Sequence, residues 1–195
     1  MRCFVGIELD PRARDALVRA GERVRKADPS WAGEKWVRAE NLHVTVAFLG
    51  DVPEDVAGDL ADSIGARLAD TAAFSLPFGR LRAVPNARRA SMMWAVYLDP
   101  DGRGAALEHA VAGGCRPFGI TPGDRAFQAH VTLVRARRPR HVGAEATATF
   151  DASAEAVPPF LSVPSATLFS STLTKAGPVY HSIVSWPFRP TDACE

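Results

Sequence analysis

The chain has 195 residues, 47% of them hydrophobic and 23% charged, the proportions of an ordinary globular protein rather than a disordered or collagen-like one. No run approaches the ~20 apolar residues that a membrane-spanning helix needs. Lys+Arg 23 against Asp+Glu 22 gives a formal charge of +1, which argues against bulk coating of nucleic acid and leaves room for a local basic groove.

Residues 2–9 form a short apolar run with Phe4, Val5, Ile7 and Leu9 and read as a buried strand. Their apolar stretch is too short for a signal peptide and breaks at Glu8. Asp10-Pro11 then supplies a helix start, with Ala13, Ala16, Leu17, Ala20 and Val24 at helical spacing up to Asp28-Pro29. Trp36-Val37 leads into a strand over residues 42–49, closed by Gly50, and Pro53 opens a helix with Val56, Leu60, Ile64 and Leu68. Residues 74–82 read as a strand bent at Pro77 and Gly79, and residues 92–98 as another. Asp99-Pro100 starts a helix through Leu107, Ala110 and Val111, ended by Gly113-Gly114, and residues 130–135 return to strand. The Ala/Thr-rich residues 144–150, then 160–170 and 179–186, predict a strand-rich C-terminal third. Cys3, Cys115 and Cys194 stand at no metal-like spacing, so reduced thiols and a cytoplasmic location are expected.

Ile7-Glu8-Leu9-Asp10-Pro11 resembles Val96-Tyr97-Leu98-Asp99-Pro100, and each is followed about thirty residues later by His-Val-Thr, at His43 and at His130. Both halves therefore read as strand, Asp-Pro helix start, strand with His-Val-Thr, and a duplication at this spacing is too long for a solenoid repeat. The expected fold is α+β: two pseudo-twofold-related lobes with interleaved C-terminal strands in a single domain over residues 1–195. Each lobe is a mainly antiparallel sheet with outer helices, and the cleft lies between them.

His43-Val44-Thr45 and His130-Val131-Thr132 carry the chemical signal. Side chains two apart on a strand share a face, so each motif sets an imidazole beside a hydroxyl, with Val turned to the other face. Facing lobes would line one cleft with all four groups. Imidazole titrates near neutrality, so one ring can act as base and the other as acid. A single His-x-Thr on a strand is an ordinary occurrence; its repetition in apolar context and in register with a duplicated scaffold is not. His109, His141 and His181 lack that context.

Trp36-Val37, Glu40-Asn41-Leu42-His43-Val44-Thr45 and Phe48-Leu49-Gly50 resemble the first motif of the 2H phosphoesterases, in the branch of RNA 2′,3′-cyclic phosphodiesterases once called 2′-5′ RNA ligases. His130-Val131-Thr132-Leu133-Val134-Arg135 resembles that branch's second motif, with Ala129 where the family usually has Pro. Residues 2–9 are similar to its first strand, and residues 168–180 to its last hairpin. The resemblance implies metal-independent hydrolysis of an RNA 2′,3′-cyclic phosphate end to a 2′-phosphate, with no cofactor. His43 would protonate the departing 3′ oxygen, His130 would activate water, and Thr45 and Thr132 would donate hydrogen bonds to the non-bridging oxygens. Symmetry by itself does not say which histidine does which. Arg135 would add a charge-assisted phosphate contact, yet strict alternation puts it on the face opposite His130, so the role requires a bulge, twist or strand end. Trp36 matches a family position that stacks on the terminal base, and it fits equally well as hydrophobic packing under its loop.

The expected partners are RNA 3′ ends, tRNA fragments among them, or small cyclic nucleotides, bound by a monomer with no membrane attachment. Runs at Arg80, Arg82, Arg88, Arg89 and at Arg135, Arg137, Arg138, Arg140 read either as a basic rim for RNA or as a solvated face. The rival activities are opening of small cyclic nucleotides or ADP-ribose cyclic phosphate, 2′-5′ phosphodiester cleavage or ligation, and non-catalytic binding of RNA ends. Two histidines fall short of the three or four ligands a stable metal site wants, so no metal is expected. Walker A, Gly-x-Ser-x-Gly, His-Glu-x-x-His and Cys-x-x-Cys patterns are all missing from the sequence.

Overall fold

The structure is a computed structural model that describes residues 1–123, 126–175 and 177–190; Cys194 lies outside the described residues. Among these the chain runs β1 (Arg2–Glu8), α1 (Pro11–Ala27), β2 (Lys35–Trp36), β3 (His43–Asp51), α2 (Ala57–Leu68), β4 (Phe74–Val84), β5 (Ala90–Tyr97), α3 (Arg103–Cys115), β6 (His130–Arg140), α4 (Ala144–Ser153), β7 (Phe160–Val163), β8 (Ser165–Thr174) and β9 (Gly177–Pro187). The strands join in one sheet of order β7-β4-β5-β6-β3-β1-β8-β9, with β2 beside β6. Neighbouring strands are antiparallel throughout.

The sheet is palindromic about the β3–β6 seam, where Val44 lies opposite Val131. β1 flanks β3 and β5 flanks β6, then β8 and β4 lie outside them. In chain order β1-α1-β3-α2-β4 is followed by β5-α3-β6-α4-β7-β8. β4 pairs with β5 and β8 pairs with β1, so each set contributes its outer strand to the other half-sheet.

The core sits between one sheet face and the helices, with α1 packed on α4 and α2 on α3. Asp10 caps α1 by accepting from the Ala13 amide at 2.9 Å, and Pro11 occupies the first turn, where its missing N–H costs nothing. Val5, Ile7, Val44 and Val131 meet Leu17, Val24, Leu60, Ile64 and Val111 in that core, each large side chain contributing about 1.5–3 kcal/mol of apolar burial. Gly114 lets α3 close on α2, since a Cβ there would lie 2.7 Å from the Ile64 Cα.

Two expectations need correction. Residues 144–150 are not strand but belong to α4: the alternating Ala and Thr pattern mimics a half-buried strand, yet Ala146, Phe150 and Ser153 bury one helical face. The helix expected at Asp99-Pro100 begins at Arg103 instead. Asp99 still serves as its cap across a wider loop, accepting from the Gly104 and Ala105 amides at 2.9 Å each.

Candidate active site

The open face of the sheet carries the two motifs. His43, Thr45 and Phe48 of β3 and His130, Thr132 and Arg135 of β6 line one cavity of about 150 Å³, closed by Val37, Asn41 and Tyr180. The backbone explains how residues five positions apart in each motif share a face. β3 buries both Val46 and Ala47, and β6 buries both Leu133 and Val134, each pair at a register shift against a neighbouring strand. In β6 the shift falls between Met93 opposite Val134 and Trp94 opposite Thr132, which leaves Leu133 as the extra residue. Such a bulge resets the alternation, so Arg135 returns to the face of His130. The bulge that the Arg135 role requires is present.

Each imidazole is held the same way. His43 Nδ1 lies 2.7 Å from the Asn41 carbonyl and His130 Nδ1 lies 2.7 Å from the Gln128 carbonyl. A carbonyl only accepts, so both Nδ1 atoms carry hydrogen and both Nε2 atoms are the ones free to exchange a proton. His43 Nε2 is 3.0 Å from Thr45 Oγ1, whose hydroxyl donates to the neutral ring. An aromatic ring supports each histidine: Phe4 at 4.8 Å from His43, and Trp94 stacked at 3.9 Å on His130. Tyr180 meets His43 edge-on at 5.3 Å.

Burial pulls the pKa of both histidines below the ordinary imidazole value, because a charged ring loses water there; the carbonyl bonds oppose this. The nearby positive charge of Arg135 lowers both further, and His130 lowers His43. The Arg135 guanidinium rests 3.0 Å from Met92 Sδ, a weak acceptor, and no carboxylate pairs with it among the described residues. An anion between the rings would reverse these shifts and find three positive or potentially positive groups around it. Among the described residues no three His, Cys, Asp or Glu side chains gather as metal ligands.

Trp36 lies elsewhere. Its indole N–H donates to the Trp31 carbonyl at 2.9 Å, its ring presses on α1 where a Cβ at Gly21 would come within 2.8 Å, and Arg25 sits over it at 5.2 Å. These are the contacts of hydrophobic packing, and Trp36 does not line the cavity that holds the two histidines. Phe48, 61% exposed in the cleft, is the aromatic that sequence reading passed over. Its signal was available, since Phe48 stands five residues after His43 as Arg135 stands five after His130. Asn41 was also missed as a site residue: its carbonyl holds His43, and its amide donates to the Pro178 carbonyl at 2.8 Å, tying the β8–β9 hairpin to the cleft.

A family model described as LigT-like phosphoesterase matches residues 7–94. A Thermus thermophilus protein named RNA 2′,3′-cyclic phosphodiesterase is 31% identical over 97% of this chain and 91% of its own length. A Geobacillus stearothermophilus protein of the same name is 28% identical over 94% of this chain, which spans only 56% of that relative's length. The crystal structure of TT0787 from Thermus thermophilus superposes with a TM-score of 0.75 at 27% identity, covering 97% of this chain and 99% of that one. A sequence likeness that runs through both His-Val-Thr strands, on a shared fold, means that the chain belongs to the LigT-like phosphoesterases of the 2H superfamily.

Proposed function

We propose that this protein hydrolyses the 2′,3′-cyclic phosphate at an RNA 3′ end to a 2′-phosphate, with His43 and His130 as a paired general acid and base. The observation that carries the reading is the pair of Nε2 atoms, both left free by carbonyl-bound Nδ1 atoms, in one small cavity with Thr45, Thr132 and Arg135. Relatives named for that activity support the choice of substrate.

His130 Nε2 takes a proton from water as its oxygen bonds to phosphorus. The bond from phosphorus to the ribose 3′ oxygen breaks, and His43 Nε2 gives its proton to that oxygen. The products are a 2′-phosphomonoester and a 3′ hydroxyl, with the proton now on His130 and His43 neutral until solvent exchange resets them. The Thr45 and Thr132 hydroxyls and the Arg135 guanidinium stabilise the charge growing on the non-bridging oxygens. Trp94, stacked on His130, has a π face that favours the protonated ring formed in this step.

The test is incubation of purified protein, in EDTA, with an oligoribonucleotide ending in a 2′,3′-cyclic phosphate, followed by identification of the monophosphate isomer. The reading expects the 2′ isomer in full yield with chelator present. No turnover, or the 3′ isomer, would contradict it.

A further inference from the structure

The cleft does not stop at β6. Residues directly opposite each other on antiparallel strands share a face, so pairing extends each motif row outward. His130 lies opposite Val96, and Val96 opposite Arg80; Thr132 lies opposite Trp94, and Trp94 opposite Arg82. Between these two arginines Leu81 points to the helix side and is buried. Arg80 and Arg82 therefore stand on the cleft face of β4, two strand spacings or roughly 10 Å from the motif backbone. Neither side chain takes part in a hydrogen bond or ion pair among the described residues.

Beside His130 is a cavity of about 430 Å³, which shares Thr45, Phe48, His130 and Arg135 with the catalytic cavity and is lined also by Glu108, Phe127 and by Met92 and Trp94 of β5, the strand between β6 and β4. It is roomy enough for a nucleobase and offers ring faces to stack on. The symmetry-related side is different: the strand matching β4 is β8, where Thr167 and Phe169 occupy the cleft-face rows beside Gly6 and Phe4. Beside His43 the β1 side brings Arg14 together with Glu8 and Glu40, whereas the β6 side carries a stacking pocket and two guanidinium groups that have no ion pair among the described residues. That combination suits a single strand whose bases stack and whose phosphates run along cations.

We propose that Arg80 and Arg82 form a phosphate track on β4 that holds the RNA backbone upstream of the reacting end, so that the protein selects an oligonucleotide over a cyclic mononucleotide. The proposal rests on reading the central cavity as the place where the cyclic phosphate opens. The readout is the ratio of kcat/KM on a short oligoribonucleotide cyclic phosphate to that on a nucleoside 2′,3′-cyclic phosphate. The wild-type ratio should exceed one at low salt, and Arg80→Gln/Arg82→Gln should lower it by about ten-fold or more, with the salt slope for the oligonucleotide falling by about 0.7 per lost arginine. Arg80→Lys/Arg82→Lys should restore the slope. Arg23→Gln on the exposed side of α1 removes a charge away from the cleft and should leave the ratio unchanged. A wild-type ratio of one, or the same ratio in the Gln double variant, would overturn the track.

Binding separates this idea from the catalytic one. Fluorescence anisotropy with a labelled single-stranded RNA ending in a 2′-phosphate needs no turnover. If neither substrate is hydrolysed, the catalytic reading fails, and the track still stands or falls on whether the Gln double variant weakens that binding and flattens its salt dependence. Circular dichroism and Tm matching wild type show that the variant is folded.

Discussion

The two motif strands are near copies in burial and differ at their edges. Over the first six residues β3 and β6 alternate half-buried and buried in the same order, with two consecutive buried residues at the bulge. Both imidazoles hang from a carbonyl two residues upstream. The sixth position is Phe48 in one strand and Arg135 in the other, and the supporting ring is Phe4 in one and Trp94 in the other. His43 meets Tyr180 of the β9 hairpin and borders a cavity of about 250 Å³ with Glu8, Arg14 and Glu40, whereas His130 borders the larger cavity of about 430 Å³. Duplication supplies two imidazoles held in the same way. Divergence at the flanks makes the cleft asymmetric, with Arg135 and the larger cavity on the β6 side.

The hardest test of the equivalence is to remove each ring. His43→Ala and His130→Ala should each lower kcat by about 10²–10⁴-fold, and the double variant should be little worse, because the two act as a unit. Steady-state rates on the cyclic phosphate substrate check this, with Tm confirming folding. Additive losses would mean that the rings work independently.

The sixth position sharpens the asymmetry. Arg135→Ala should cut kcat/KM by roughly 10–10²-fold through the lost charge-assisted contacts, while Phe48→Ala should act mainly on KM, by less than about ten-fold. Equal effects on both parameters would erase the distinction between clamp and stacking ring. Deleting Leu133 removes the bulge together with its extra residue, so Arg135 falls four positions after His130 and stays on the cleft face; kcat/KM should be held far better than in Arg135→Ala.

The pH dependence follows from the lowered pKa values. The base must be neutral and the acid protonated, so kcat/KM is bell-shaped, with its limbs set by the coupled pair in the free enzyme. Burial and Arg135 pull both values down, so the kcat/KM optimum should fall on the acid side of the ordinary imidazole value. A bound phosphate anion pushes both back up, so the kcat optimum should lie at higher pH than that of kcat/KM. Coincident profiles would show that the anion does not sit between the rings.

The smallest expected catalytic effect is at Trp36. Trp36→Ala should lower Tm, at a cost below the roughly 3–5 kcal/mol of a fully buried aromatic because the ring is half-buried, and should change KM less than two-fold. A large KM effect with unchanged Tm would return Trp36 to substrate binding.

The histidine pair was readable in the sequence because strand alternation is a local rule and His-Val-Thr occurs twice in register. Asp10 was readable as a cap for the same local reason. What was not readable depended on pairing. The bulges at Val46 and Leu133 show only against neighbouring strands, which is why Phe48 escaped notice and Arg135 looked misplaced. Arg82 reads in the sequence as either basic rim or solvated face, and its place in the Thr132 row shows only through its position opposite Trp94. Residues 144–150 failed for a different reason: Ala and Thr at alternate positions satisfy a strand pattern, and tertiary packing of Ala146 and Phe150 decides for helix.

The division of labour between the two rings is tested most directly by the kcat/KM–pH profiles of the single variants His43→Ala and His130→Ala, measured on one oligonucleotide cyclic phosphate. With His43 as acid and His130 as base, the first variant should lose the falling limb at high pH and keep the rising one, and the second should do the reverse. Loss of the same limb from both variants, or a full bell in either, would contradict paired acid and base catalysis.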